Sequence, residues 1–92
     1  MKPEIARGED AKRILEDPLF IEAWEKVEKA LVGSLRTVPL TDAGLEREIV
    51  RSIQLLYRVR AYVEEVLSTG KLVAIDEQQA EWRRKGRRVE RG

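Results

Sequence analysis

The sequence predicts an all-α protein, an antiparallel helical hairpin with short N- and C-terminal accessory helices, which self-associates. Three observations support this class. Leu, Ala, Glu, Arg and Lys dominate the 92 residues, a composition that suits long helices. Apolar residues recur at spacings of three and four along two long segments. Proline-containing breaks separate these segments, and the chain is short enough to form one domain at most.

The N-terminal part of the chain predicts a flexible arm followed by a short helix. Residues 1–8 are polar and end in a glycine, which is typical of a loose arm. Residues 9–16 have helical composition. Asp17 and Pro18 then predict a helix end and a new start, because the residue before a proline disfavours helical angles. Asp is a good N-cap, and Pro is favoured at the first helical position.

The second helix is predicted from Pro18 to about Leu35, with one apolar face. The residues of that face are spaced by 4, 3, 4 and 4: Phe20, Trp24, Val27, Leu31 and Leu35. The segment from Arg36 to Leu40 is predicted to be a connector, since Pro39 keeps the residue before it extended. Thr41 and Asp42 both offer capping side chains for the next helix.

The third predicted helix carries an unbroken a/d heptad pattern and ends at Gly70 as a left-handed C-cap. Its heptad positions are Leu45, Ile49, Ser52, Leu56, Val59, Val63 and Val66. All of these except Ser52 are predicted to form the oligomer or hairpin core, together with Phe20, Trp24, Val27 and Leu31. Ser52 has two open interpretations: it fixes register or oligomeric state, or it is a small residue that permits close helix approach.

A last short helix is predicted from Asp76. Its Trp82 is expected to pack on the body, and stacking on a nucleic-acid base is the alternative. The predicted organisation is therefore a flexible arm (1–8), a helical hairpin domain (9–82) and a basic flexible tail (83–92). So small a core favours association with a partner subunit. A compact monomer of three or four helices is the alternative.

Charge is distributed unevenly along the chain. Residues 83–91 hold six of the 18 basic residues and one of the 17 acidic ones, for a net charge of +5. Residues 1–82 keep twelve basic and sixteen acidic residues, for a net charge of −4. This asymmetry points to an acidic partner, either nucleic acid such as DNA or an acidic protein surface, and a tail with no specific partner is the remaining alternative. The predicted contact residues are Arg83, Arg84, Lys85, Arg87, Arg88 and Arg91.

A second basic feature lies on the third predicted helix. Arg47, Arg51 and Arg58, with Gln54 between them, share the helix face that lies away from Leu56. A solvated face interleaved with glutamates is one interpretation of this strip. A secondary contact strip for a partner or for phosphates is the other.

Composition argues against catalysis and against a cofactor. The chain has no His and no Cys, so it lacks the commonest general base, the commonest transition-metal ligand and any thiolate. The pairs Glu46/Glu48 and Glu64/Glu65 fit a solvated ion-pair face, and no Gly-rich phosphate loop is present. We therefore expect no enzyme activity, no metal and no cofactor. No apolar run approaches the length of a membrane span, so a cytoplasmic protein without membrane contact is expected.

Three segments carry a resemblance to a known group of proteins. Residues 14–23 (ILEDPLFIEA), 55–60 (LLYRVR) and 69–72 (TGKL) resemble small helical proteins of tailed double-stranded DNA bacteriophages, encoded among head and DNA-packaging genes. The similarity spans residues 11–72. Small terminase subunits are such proteins: they form rings through a helical hairpin core, bind viral DNA and pass it to the large, ATP-driven subunit.

The resemblance implies a non-catalytic packaging or head-assembly component that acts in the cytoplasm of the host. Its hairpin would form the oligomeric core, and its partners would be DNA and a large packaging or head protein. The alternative, from another functional class, is a protein–protein adaptor or inhibitor that docks on an acidic partner surface.

Overall fold

The structure, a computed structural model, describes the backbone of residues 2–91 and the side chains of residues 2–86. It contains three helices, α1 (Pro3–Glu16), α2 (Pro18–Thr37) and α3 (Ala43–Arg91). The part of the chain that is described has no strand, so the predicted all-α class is confirmed. None of its helices combines the length and the apolar content needed to cross a membrane.

Helix α1 is longer than the sequence predicted. It begins at Pro3, directly after an extended Lys2, so the predicted flexible arm over residues 1–8 is wrong from Pro3 onward. Proline suits this first position because its ring fixes a helical φ and its missing N–H needs no partner. Gly8 does not end the arm. It lies inside α1 and is buried against α3.

The break between α1 and α2 lies where the sequence placed it. Asp17 has an extended backbone, with φ −65° and ψ 124°, and separates the two helices. One carboxylate oxygen of Asp17, Oδ1, accepts hydrogen bonds from the backbone N–H groups of Leu19 (2.8 Å) and Phe20 (3.1 Å). These bonds satisfy two donors that have no partner within the first turn of the helix. Asp17 as the N-cap of α2 is therefore confirmed.

The start of α3 distinguishes between the two predicted capping residues. The backbone N–H of Leu45 donates to Oδ1 of Asp42 at 3.0 Å. The backbone N–H of Asp42 itself donates to the carbonyl oxygen of Pro39 at 2.9 Å, which closes the turn between the helices. Asp42 is thus the residue that caps α3.

Helix α3 is continuous over 49 residues, a length of about 73 Å at the usual rise per residue. Three predictions about the backbone of this segment are therefore wrong: that a helix ends at Gly70, that a separate last helix begins at Asp76, and that a flexible tail runs from Arg83 to Arg91. None of the described glycines has a positive φ, so Gly70 is not a left-handed cap. A single glycine costs a helix interior only about 1 kcal/mol, which packing against α1 can offset.

Helices α1 and α2 both pack on α3. Lys2 Nζ lies 3.9 Å from Glu77 Oε1, and Gly8 meets Gly70, so residue numbers fall along α3 as they rise along α1. Helix α1 is therefore antiparallel to α3. Helix α2 contacts α3 through Trp24 and Tyr57, whose ring centroids are 5.6 Å apart. The molecule is long and thin, with principal extents of 78 × 25 × 18 Å.

The core of this arrangement is small. Among the described residues, the buried apolar side chains are those of Ala11, Trp24 and Ile49. Two of the ten predicted core residues, Trp24 and Ile49, are therefore buried. Five others are half-buried: Phe20, Leu31, Leu56, Val63 and Val66.

The remaining three predicted core residues are exposed. Val27, Leu45 and Val59 have exposed fractions of 46%, 41% and 63%, so they lie outside the core of the single chain, and their assignment to an oligomer core stays a prediction. Val27 lies to one side of the α2 line that runs through Trp24 and Leu31. Leu45 is in the first turn of α3, near the connector, where α2 covers little of it.

Val59 is exposed because the buried seam of α3 has a different phase from the predicted heptad. Buried and half-buried residues recur along α3 at alternating spacings of four and three: Ile49, Ile53, Leu56, Arg60, Val63, Leu67, Gly70, Ala74 and Glu77. Arg60 takes the inward position and places its guanidinium over the ring of Trp24. Ser52, another residue of the predicted heptad, also lies outside the buried seam. It is exposed, and its hydroxyl donates to the carbonyl oxygen of Glu48 at 2.9 Å.

Candidate functional site

The strongest candidate site is the cationic end of α3, residues 83–91. The side chains of Arg83, Arg84 and Lys85 are all exposed. Lys85 Nζ lies 3.4 Å from Glu81 Oε1, one turn earlier on the same helix. The side chains of the other predicted contacts lie outside the described part of the structure, so their role stays a prediction: Arg87, Arg88 and Arg91.

The cationic end lies beyond the part of α3 that α1 covers. The last observed pairing between the two helices joins Lys2 to Glu77. Every side chain from Gln78 to Gly86 is exposed. Within residues 2–86, no hydrogen bond or ion pair joins 78–86 to another helix. The helix therefore presents its arginines and lysine away from the acidic body.

Trp82 lies at the base of the cationic end with 80% of its surface exposed. The prediction that it packs on the body is wrong, because no described helix lies beside this turn of α3. Its ring lines a shallow surface groove with Gln78, Gln79 and Arg83. An exposed aromatic ring beside cations is the combination that binds unpaired bases, by stacking and charge together.

The arginine strip of Arg47, Arg51 and Arg58 is exposed, as one interpretation of the sequence required. No carboxylate among the described side chains lies within 4.0 Å of these guanidinium groups. Arg58 and Arg83 are 25 residues apart on one straight helix, about 38 Å at the usual rise. The structure thus keeps the arginine strip and the cationic end apart.

Sequence reasoning missed a polar cluster between α2 and α3. The rings of Trp24 and Tyr57 meet edge to face, with an interplanar angle of 76°. The Cζ atom of Arg60 lies 5.0 Å from the Trp24 ring centroid, and Arg60 Nε donates to Glu64 Oε1 at 3.0 Å. A cation over an indole face is attracted by the negative face of the ring. Tyr57 and Arg60 each lie next to a predicted heptad residue in the sequence. That proximity is the only feature of the sequence that points to this cluster.

Tyr57 links the two helices through its hydroxyl group. Its hydroxyl donates a hydrogen bond to the Glu28 carboxylate. This hydrogen bond, with desolvation and the negative charge of Glu28, raises the pKa of Tyr57 above its ordinary value, while Arg60 acts in the opposite direction. The cluster thus ties α2 to α3 through a neutral tyrosine and a shared tryptophan.

The acidic residues do not assemble into a metal centre in the part of the chain that the structure describes. No group of three or more potential ligands lies together there. The local pairs Glu46/Glu48 and Glu64/Glu65 are exposed on α3, and Glu64 is engaged by Arg60.

Comparison with models of protein families, with curated proteins and with solved structures finds no match to this chain. The class of the molecule therefore rests on its own geometry: three helices, a 49-residue α3 and a cationic helix end.

Proposed function

We propose that this chain is a non-catalytic, self-associating helical assembly protein that contacts DNA through the cationic end of α3. Its proposed role is in DNA packaging or head assembly of a tailed bacteriophage, where it would act as small terminase subunits do beside a large packaging or head protein. The observation that carries the proposal is the cationic end of α3, whose described side chains, Arg83, Arg84 and Lys85, are exposed beyond the acidic body.

The charge distribution favours a phosphate backbone as the ligand. The cationic end has a net charge of +5, against −4 for the rest of the chain. Lysines and arginines that neutralise phosphates release condensed counterions, which drives binding without reading the sequence. The acidic body is repelled by the same backbone, so DNA would be engaged by the projecting end alone. This orients the body away from the duplex.

The proposed scaffold is an antiparallel hairpin of α2 and α3, joined by the short connector and multiplied by self-association. Accessible surface supports the association. The chain exposes 7843 Å², whereas a compact monomer of 10.6 kDa exposes about 5,500 Å². Part of this excess of about 2,300 Å² belongs to the projecting residues 78–86, and the rest includes exposed apolar side chains of the body that a second copy would cover. In an oligomer, several cationic ends would bind one duplex through high effective concentration.

A salt series of DNA binding by the full chain and by a truncation lacking residues 83–92 tests the proposal. The full chain should bind duplex DNA with an affinity that falls steeply with added salt, and the truncation should lose binding while it keeps its oligomeric state. A variant with Arg47 and Arg51 replaced by alanine is the control, because it removes cations from the body only. Unchanged binding by the truncation would sink the proposal.

The same experiment identifies the other functional class. An adaptor or inhibitor that docks on an acidic protein should show negligible affinity for DNA even at low salt. It should instead retain a protein partner in pull-downs, and lose it when residues 83–92 are removed.

A further inference from the structure

An uncovered apolar row runs along the middle of α3. It consists of Leu55, Val59 and Tyr62, at spacings of four and three, which places them on one face of the helix. Their exposed fractions are 55%, 63% and 60%. Scattered exposed apolar residues are ordinary on a protein surface, whereas contiguous apolar patches mark interaction sites. We call this set the open row.

The open row continues an interface that α1 already forms. Tyr62 lies at its end and lines a cleft with Val66, together with Ala11 and Ile14 of α1. Arg7 Nη2 also donates to the Tyr62 hydroxyl oxygen, at 3.4 Å. Helix α1 therefore covers this face of α3 from Tyr62 onward and stops there, since α1 ends at Glu16. Leu55 and Val59 occupy the part of the same face that α1 leaves open.

We infer that the open row is the surface on which a second copy of this chain packs, with Ile14 at its edge. Ile14 is 45% exposed and borders the row where α1 ends, so it extends the apolar surface onto a second helix. The inference rests on the self-association included in the proposed function, and it assigns that association to named residues.

Two observations point to a second copy rather than to an unrelated partner. The excess surface of about 2,300 Å² includes the projecting residues 78–86, but the exposed open row is present on every chain, so packing two copies together covers it on both. The described part of one chain buries only three apolar side chains, so a lone chain of this size is marginal. Closed homo-oligomers are also the commonest assemblies of soluble proteins.

The polar residues beside the row suit the rim of such an interface. Arg58 precedes Val59 on α3 and is exposed, and no described carboxylate lies within 4.0 Å of it. Arginine is enriched in subunit interfaces because its planar guanidinium binds carboxylates and stacks on aromatic rings. The acidic body of a second copy offers such carboxylates.

Sedimentation equilibrium of the full-length chain without DNA tests the inference, using Val59→Asp and Leu72→Asp. Val59 and Leu72 are equally exposed, at 63%, and both lie on α3, but Leu72 is off the open row. The wild type and L72D should sediment as the same multiple of 10.6 kDa, and V59D should sediment as a single chain or require a much higher concentration to associate. Leu55→Asp should repeat the effect of V59D.

Two outcomes would overturn the inference: a wild type that remains a single chain up to sub-millimolar concentrations, or V59D and L72D that associate equally. Circular dichroism of each variant checks that the helices persist, which is expected because the replaced side chains are already exposed. Since no DNA is present, a failure here leaves the proposed DNA contact to be judged by its own salt series. A failure of the salt series likewise leaves this interface standing.

Discussion

Gly8 of α1 and Gly70 of α3 cross with their backbones in direct contact. A Cβ atom added to Gly8 would lie 2.9 Å from the Cα of Gly70. A Cβ added to Gly70 would lie 2.8 Å from both the Cα of Gly8 and the carbonyl oxygen of Glu4. Because backbone atoms on both helices create the obstacle, no side-chain rotation can relieve it. The two glycines therefore set the distance between α1 and α3.

Gly70→Ala is expected to destabilise the fold by about 1–3 kcal/mol, because the added methyl group forces α1 away from α3. Gly33→Ala is the matched control: it is also a helical glycine, but nothing lies within 4 Å of its added Cβ. That change should raise stability by about 0.4–1 kcal/mol, since alanine restricts the unfolded chain. Urea unfolding at one fixed protein concentration measures both. Equal stability of the two variants would contradict the observed crossing.

The Tyr57–Glu28 hydrogen bond predicts a dependence of stability on alkaline pH. The pKa of Tyr57 is raised in the folded chain, first by the hydrogen bond to Glu28. A raised folded-state pKa means that the neutral tyrosine stabilises the fold fully below its unfolded pKa of about 10. This contribution is then lost as pH rises through the folded pKa. Stability should therefore fall in alkaline solution, and part of that fall should be absent in Tyr57→Phe.

An absorbance titration measures this ionisation directly, as the difference between the wild type and Tyr57→Phe. Glu28→Gln should move the pKa of Tyr57 down toward its ordinary value, because an amide carries no negative charge. Glu25→Gln is the control, since Glu25 lines the same groove and is not a cause of the shift. A pKa of Tyr57 that is identical in E28Q and E25Q would refute the assignment.

Removing the three described cations of the cationic end should reduce the salt dependence of DNA binding. Replacing Arg83, Arg84 and Lys85 by alanine should lower the magnitude of the slope of log affinity against log salt by about 2–3, since each phosphate contact contributes about 0.9. Replacing Arg47 and Arg51 by alanine removes cations from the body instead, and that variant should keep the wild-type slope. Filter binding or fluorescence anisotropy at four or more salt concentrations gives both slopes. Equal slopes for the two variants would argue for non-specific attraction by the whole chain.

Trp82 should report single-stranded DNA through its fluorescence. The chain has two tryptophans, and their exposed fractions, 8% for Trp24 and 80% for Trp82, differ widely. Stacking on a base would quench the emission of Trp82 and leave that of Trp24 unchanged. A titration with an oligonucleotide should therefore quench the wild type but not Trp82→Phe. Quenching of both to the same degree would show that the signal does not come from Trp82.

The features that the sequence predicted well are those decided by neighbouring residues. The sequence predicts Asp17 as a cap, and Asp42 as one of two candidates with Thr41, because a capping carboxylate acts on backbone N–H groups two or three residues away. The position of the cationic end also follows from local composition. Its projection from the body does not, because that depends on where α1 begins and which part of α3 it covers.

The features that the sequence predicted poorly depend on contacts between distant residues. A glycine such as Gly70 suits either a helix end or the close approach of another helix backbone. Only its contact with Gly8, 62 positions earlier, shows which of these roles it has. The prediction of which α3 residues face the other helices failed for a similar reason. Hydrophobicity predicts that Val59, rather than Arg60, takes the inward position. Trp24 of α2, however, provides a surface on which the arginine packs.

The small core has a thermodynamic consequence. With Ala11, Trp24 and Ile49 as the buried apolar side chains among the described residues, a separate chain has little to offset the entropy of ordering three helices. Under the proposed self-association, each added subunit would stabilise the fold by mass action, and the melting temperature should rise with protein concentration. Dilution should then lower the melting temperature, so the stability of the protein would depend on its abundance.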